Sequence, residues 1–374
     1  MRRTRLSLPS LLACRTLGLS RLSIGVACLL RAPSALAVCD NLAPASGQTA
    51  TCNANAPNPS TQPVVAAGGS TGVTVVVLPG AGISVNNSSG ISIQDSSTVQ
   101  NLGTIQTTAD SFDGITSEGS VSGFGHNSVT NAGSIHTSGA ASEGIYNGSA
   151  AVTMVNAAGG VIGTSGTGSA AMLDFSAAGG GTLTNHGTLT TSGEGSYGMA
   201  AETSGDALVN NGTITTSGAS SYGLFANGSG VGTTVTNNGS VETSGPNGHG
   251  IVSLDATPGL ITNNGSIVTH GPDSLGAYFA HTVSFVNAAG ARIASDQDNG
   301  IDANGGGTFT NARTISGGNV GMSAVGGNTL IVNSGVIEGG ANPGISTTGP
   351  YVVTITNTGQ ISGGGGVADG PIPA

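Results

Sequence analysis

The sequence predicts an all-β fold: a right-handed parallel β-helix of about eleven or more coils, with about 26 residues per coil. Three observations predict it. First, one phrase returns from residue 99 to residue 361: an apolar residue, Asn-x-Gly-x-(Ile/Val/Leu), a Thr/Ser/Gly-rich stretch, then Gly and another apolar residue. Its anchoring Asn is Asn101, Asn131, Asn156, Asn185, Asn210, Asn237, Asn263, Asn287, Asn311, Asn333 and Asn357. Second, the apolar runs are only three to five residues long and are bounded by turn residues, as in Tyr222-Gly223-Leu224-Phe225-Ala226 before Asn227-Gly228. Third, the chain has 66 Gly in 374 residues, no Trp and 7% charged residues. Such a composition is poor in helix formers, and no stretch carries a 3.6-residue apolar period. The regular Ile, Val and Leu placement argues against disorder.

In chain order, residues 1–37 read as an export signal. Arg2, Arg3 and Arg5 begin it, 22–30 form an apolar core too short to span a bilayer, and Ala35-Leu36-Ala37 offers small residues for cleavage. Residues 38–72 read as an irregular cap, broken by Pro44, Pro57, Pro59 and Pro63. Cys14 and Cys28 leave with the leader. Cys39 and Cys52 remain, and in an oxidising compartment they read as a structural disulfide. Residues 73–362 are the repeats, with Val73 opening the first strand-like run, and 363–374 form a Gly/Pro-rich tail.

No short segment of the repeat can build a core alone, but stacked coils can cover one another. The expected inward residues are Val99, Ile105, Ile115, Val129, Ile135, Ile145, Leu189, Ile214, Leu224, Val241, Ile251, Ile267, Ile293, Ile301, Ile315, Ile337, Ile345, Ile355 and Ile361. The eleven Asn are expected to form a structural ladder, passing amide hydrogen bonds from coil to coil. Asn-x-Gly occurs at eight of the eleven copies. Asn156 and Asn287 are followed by Ala-Ala-Gly, one residue longer, and Asn311 by Ala312-Arg313. Local bulges are expected at these three, and extra length in outward loops between 105 and 129 and between 156 and 183.

Six of the eight basic residues lie in the leader. A product beginning at Val38 keeps only Arg292 and Arg313 against eighteen acids. It has no basic patch for phosphates, which excludes nucleic acid as a partner. His126, His136, His186, His249, His270 and His281 share no repeat phase, so no metal site is expected, and no motif points to a cofactor. The cluster Asp296, Asp298 and Asp302 misses EF-hand spacing and reads as an ordinary turn. An ice-binding ladder would need Thr-x-Thr at nearly every coil, and at its phase only Thr188-Leu189-Thr190 and Thr213-Ile214-Thr215 supply it.

The leader, the scarcity of Cys and Lys, and repeats such as Val235-Thr236-Asn237-Asn238-Gly239-Ser240-Val241 and Ile261-Thr262-Asn263-Asn264-Gly265-Ser266-Ile267 resemble the passenger domains of Gram-negative autotransporters. The resemblance covers roughly residues 70–362. It implies export to the cell surface, outer membrane or extracellular space, an adhesin-like or virulence-related role, and partners among host-surface or matrix glycans and proteins. Such proteins end in an outer-membrane translocator barrel. That barrel is missing from this chain, which stops at Gly370-Pro371-Ile372-Pro373-Ala374, so a truncated gene or a separate translocator is expected. The expected function is a non-enzymatic scaffold presenting loops after its Gly-apolar positions. Its rival is a pectin-lyase-like carbohydrate-active enzyme, which would use paired acids such as Asp110 with Asp113, or Asp296 with Asp298 and Asp302.

Overall fold

The computed structural model describes residues 39–364, apart from 56, 120–124, 149–150, 177–178 and 258. The export signal read at 1–37, and residues 365–374 of the tail, lie outside the described residues. Three sheets, all parallel, wind into a β-solenoid of about 12 turns with about 25 residues per turn. Sheet A has 13 strands, and sheets B and C have 12 each. No helix occurs among the described residues. A typical coil runs Ala207–Asn210 in sheet A, Thr213–Thr216 in sheet B and Leu224–Ala226 in sheet C, then returns to sheet A at Thr234–Asn237.

Register follows from the side-chain period of two. In sheet B one inward column reads Ile83, Ile105, Ile135, Ile162, Leu189, Ile214, with each residue paired to its successor. All of the expected inward residues up to Ile337 are buried. Ile345, Ile355 and Ile361 are only partly buried, because no further described coil lies over them. Each fully buried aliphatic side chain contributes about 1.5–3 kcal/mol, so stability accumulates coil by coil.

The eleven Asn stack in one column at the corner between sheets A and B. Ten side-chain bonds of 2.7–2.9 Å join them, each Nδ2 donating to the Oδ1 of the next. In most coils the same Oδ1 accepts the N–H two residues on, as Asn210 does from Gly212. The Gly has a steric reason. A Cβ on Gly133 would lie 2.1 Å from the carbonyl oxygen of Gly103 in the preceding coil.

The first two coils carry no Asn at the ladder position, so the repeat extends further toward the amino terminus than its phrase. Cys52 pairs with Val77, and Val77 with Asn101, in the Asn column. Thr49–Cys52 and Val64–Val65, inside the region read as an irregular cap, are already strands of sheets A and C. Cys39 and Cys52 are joined by a disulfide.

The corner after Val77 is a four-residue turn, 78–81, closed by Ala81 N–H on the Leu78 carbonyl, with Gly80 at φ +80°. Asn156 and Asn287 precede the same turn, at 157–160 and 288–291, with Gly159 and Gly290 at positive φ. These two turns are therefore two residues longer than Asn-x-Gly, not one. At Asn311 no bulge forms: Arg313 takes the Gly place at ordinary spacing, and its N–H donates to Asn311 Oδ1 at 3.3 Å. The preceding coil at that height is the wide turn 288–291 rather than a tight Asn-x-Gly corner.

Candidate functional site

The B-to-C corner is the most regular part of the molecule. From Thr107 to Ala277, seven residues separate the last residue of each B strand from the first of the C strand. The B strands there end in a buried column of Thr107, Thr137, Thr164, Thr191, Thr216, Thr243 and Thr269. Six of these hydroxyls donate to the carbonyl five residues on, as Thr137 does to Ser142. Ser142, Ser169, Ser196 and Ser221 add a second ladder. Each Oγ accepts a backbone N–H from the coil before, and donates to a carbonyl of that coil. From composition alone this Thr/Ser/Gly-rich stretch reads as a plain turn. Its signal is Thr followed by Ser five residues later and Gly two residues after that, as in Thr216, Ser221 and Gly223.

This corner holds the outer face of sheet C in fixed register. The coils stack the residues two places before the first residue of each C strand in line: Asp113, Glu143, the small buried Ala170, then Tyr197, Tyr222 and His249 in successive coils. The next outward column contains Tyr146, Leu173, Ala200, Phe225, Val252 and Tyr278. Four of the chain's five tyrosines therefore share one face. Ring centroids are 5.3 Å apart between Tyr197 and Tyr222, 5.2 Å between Tyr222 and His249, and 6.3 Å between His249 and Tyr278. Ala200, Phe225 and Val252 form an apolar cluster outside the main core, with Tyr197, Tyr222, Tyr278, Leu173 and Leu254 packed on it. His249 Nδ1 accepts the Leu275 N–H, and burial lowers its pKa to about 4, so the ring is neutral.

At the amino-terminal end of this face lies a cleft of about 590 Å³, lined by Ser88, Ser89, Asp113, Glu118, Glu143 and Tyr146 among others. Asp113 and Glu143 are both buried and hydrogen-bond each other. Desolvation, then the hydrogen bond and charge of Asp113, push Glu143 up to about 8, and desolvation also raises Asp113. Asp113 is anchored by the Glu143 N–H at 2.9 Å and by the Thr116 hydroxyl. Sequence reading missed Glu143, because its contact with Asp113 spans 30 residues; aligning the Gly-apolar phrases would have found it.

The expected pair of Asp110 with Asp113 does not form. Asp110 is exposed and accepts the Ala140 N–H, whereas Asp113 faces Glu143. Asp296, Asp298 and Asp302 do not form one cluster: Asp298 and Asp302 are neighbours that both accept from Asn299, and the charge of Asp298 adds to the desolvation that raises Asp302, but Asp296 stands apart. Asp296 Oδ2 lies 2.6 Å from His270, which also meets Glu242, while Asp302 accepts from Asn299. Among the described residues no group of three or more His, Cys, Asp or Glu is placed to hold a metal.

Further buried acids serve the C-to-A loops. Asp206 accepts the Gly181 N–H and the Thr203 hydroxyl, and burial, then the charge of Asp174, pushes it up to about 7. Asp255 accepts the N–H groups of Gly228 and Thr233, and desolvation raises its pKa. Asp174 accepts from Asn147 inside the solenoid, and desolvation raises it too.

Residues 46–267 match the family model described as the BigA third pectate lyase-like domain. No curated protein and no solved structure matches the chain. The matched segment takes in the disulfide's Cys52, the regular B-to-C corners, the acid cleft, and the aromatic face as far as His249.

Proposed function

The chain belongs to the family of the BigA third pectate lyase-like domain, and from that premise we propose that it is an exported, non-catalytic passenger-type scaffold, displayed at the cell surface or released. Its role is adhesin-like: it holds a partner from a host surface or matrix on the flank of a rigid solenoid. The observation that carries this reading is the arrangement of the acids. Glycoside hydrolysis needs two carboxyl groups about 5 Å or more apart, one on each side of the scissile bond. Asp113 and Glu143 bond to each other and so lie on one side of anything entering their cleft. Arg292 and Arg313, the only Arg or Lys among the described residues, lie on a B strand and at an A-to-B turn, away from that cleft.

The second reading, a carbohydrate-active enzyme, draws on one observation: Glu143, pushed up to about 8, would hold a proton at neutral pH as a general acid must. One experiment separates the two. Purified chain is applied to matrix-coated surfaces and, separately, to polygalacturonan with reducing ends counted. Retention on the surface without new reducing ends is expected. Cleavage that disappears in Asp113→Asn/Glu143→Gln would replace the scaffold with the enzyme.

A further inference from the structure

We infer that the outer face of sheet C docks an extended basic protein segment, with Lys or Arg side chains flanking apolar ones; the inference rests on the scaffold reading above. The face has an apolar, aromatic middle and acidic ends. Half-buried Tyr197, Tyr222 and Tyr278 form the middle, seated on the buried Phe225 and Val252, and Phe175, two residues beyond Leu173 in the chain, is 54% exposed. Exposed Glu118 stands at one end beside the Asp113–Glu143 pair, in which Glu143 keeps its proton near neutral pH, and Asp302 follows Tyr278 at the other. Neither Arg292 nor Arg313 lies on it.

Electrostatics and ring geometry select the occupant. Nucleic acid and anionic lipid are repelled by the acidic ends. A second copy would bring like charges together, which opposes pairing. A sugar stacks on free ring faces, but Tyr197, Tyr222 and His249 turn their faces toward one another, at interplanar angles of 16° and 10°. What this stack offers outward is ring edges and phenolic hydroxyls. Edges and hydroxyls suit the mixed apolar and polar contacts of a protein interface, where Tyr is enriched. Cationic side chains would meet the acids at either end of the strip.

The chain has no Trp, so tyrosine emission reports on this face directly. The test titrates the full chain with a synthetic peptide in which Arg alternates with Leu, and in parallel with chitohexaose, at about 0.15 M salt. Saturable quenching by the peptide is expected, weakened about tenfold by Tyr222→Ser and reduced as salt rises. Tyr351→Ser, away from the face, should leave it unchanged. Circular dichroism of each variant checks folding. Equal binding by both variants would reduce the effect to general acidity and overturn the proposal, as would chitohexaose binding in preference to the peptide. If the Tyr222 variant keeps full attachment to matrix, the docking face fails while the scaffold stands. If the unaltered chain attaches to nothing, the scaffold reading itself fails.

Discussion

The first and last described coils are built differently. At the amino-terminal end Ala50, Cys52 and Val64 are fully buried. The segment before them covers the first coil: Leu42 and Pro44 accept N–H groups from Val65 and Ala67, and the disulfide ties Cys39 to Cys52. In the last described coil Val353, Ile355 and Ile361 are partly buried, Tyr351 is 45% exposed and Val352 66%. The Asn column follows the same gradient, from the completely buried Asn101 to the exposed Asn357. The repeat phrase is equally good at Asn210 and at Asn357, so what differs is the presence of a neighbour above. A coil's stability is set by its two interfaces more than by its own sequence.

That contrast can be broken at its core. Ile214→Ala, in a central coil, should cost about 2–5 kcal/mol. Ile361→Ala should cost less than half as much, because its site is already open. Amide hydrogen exchange reads both locally, and equal costs would refute the gradient. Reduction of the disulfide should release about 2–4 kcal/mol of constraint. Its effect should be confined to faster exchange in Thr49–Cys52 and Val64–Val65 and should leave coils beyond residue 200 unchanged.

Asn210→Ala leaves the Asn185 Nδ2 without its side-chain acceptor and the Gly212 N–H unpaired, and should cost about 1–3 kcal/mol. Asn357→Ala, at an exposed rung, should cost under about 1 kcal/mol.

A further modest effect concerns protons. Asp206 has a folded pKa near 7, above its ordinary value, so the folded state holds a proton that the unfolded state releases. Its contribution is full below about pH 4 and is lost as pH rises toward 7. His249 acts in the opposite sense: its neutral, lowered state costs stability as pH falls from 6.5 toward 4. Asp206→Asn should flatten the fall between about pH 4 and 7 and raise stability at pH 8 by about 1–2 kcal/mol. An unchanged pH profile in chemical denaturation would show that Asp206 titrates normally.

The coil, its period and the Asn column were legible because each is a local phrase repeated many times. The first coil was not, because Cys52 fills the Asn position without resembling it; the second was legible as a strand-like run from Val73 but not by its corner, where Val77 stands in place of Asn. The three wide turns differ only in how many residues follow the corner, and Ala-Ala-Gly-Gly hid one of them. The aromatic face was hidden for another reason. Tyr197, Tyr222, His249 and Tyr278 are far apart in the chain and meet only once strand register is known. The same holds for Asp113 and Glu143, where stacking joins two acids that look unrelated on paper.

The Asn column has one more consequence. Because rung 210 meets rung 237 as rung 237 meets rung 263, the 27 residues between the first two form an interchangeable cassette. Excising them would rejoin matching corners and leave a shorter rod with Tyr222 missing from its stripe. Length can thus be gained or lost in whole-coil steps, while the pattern painted on the flank is rewritten at each exchange.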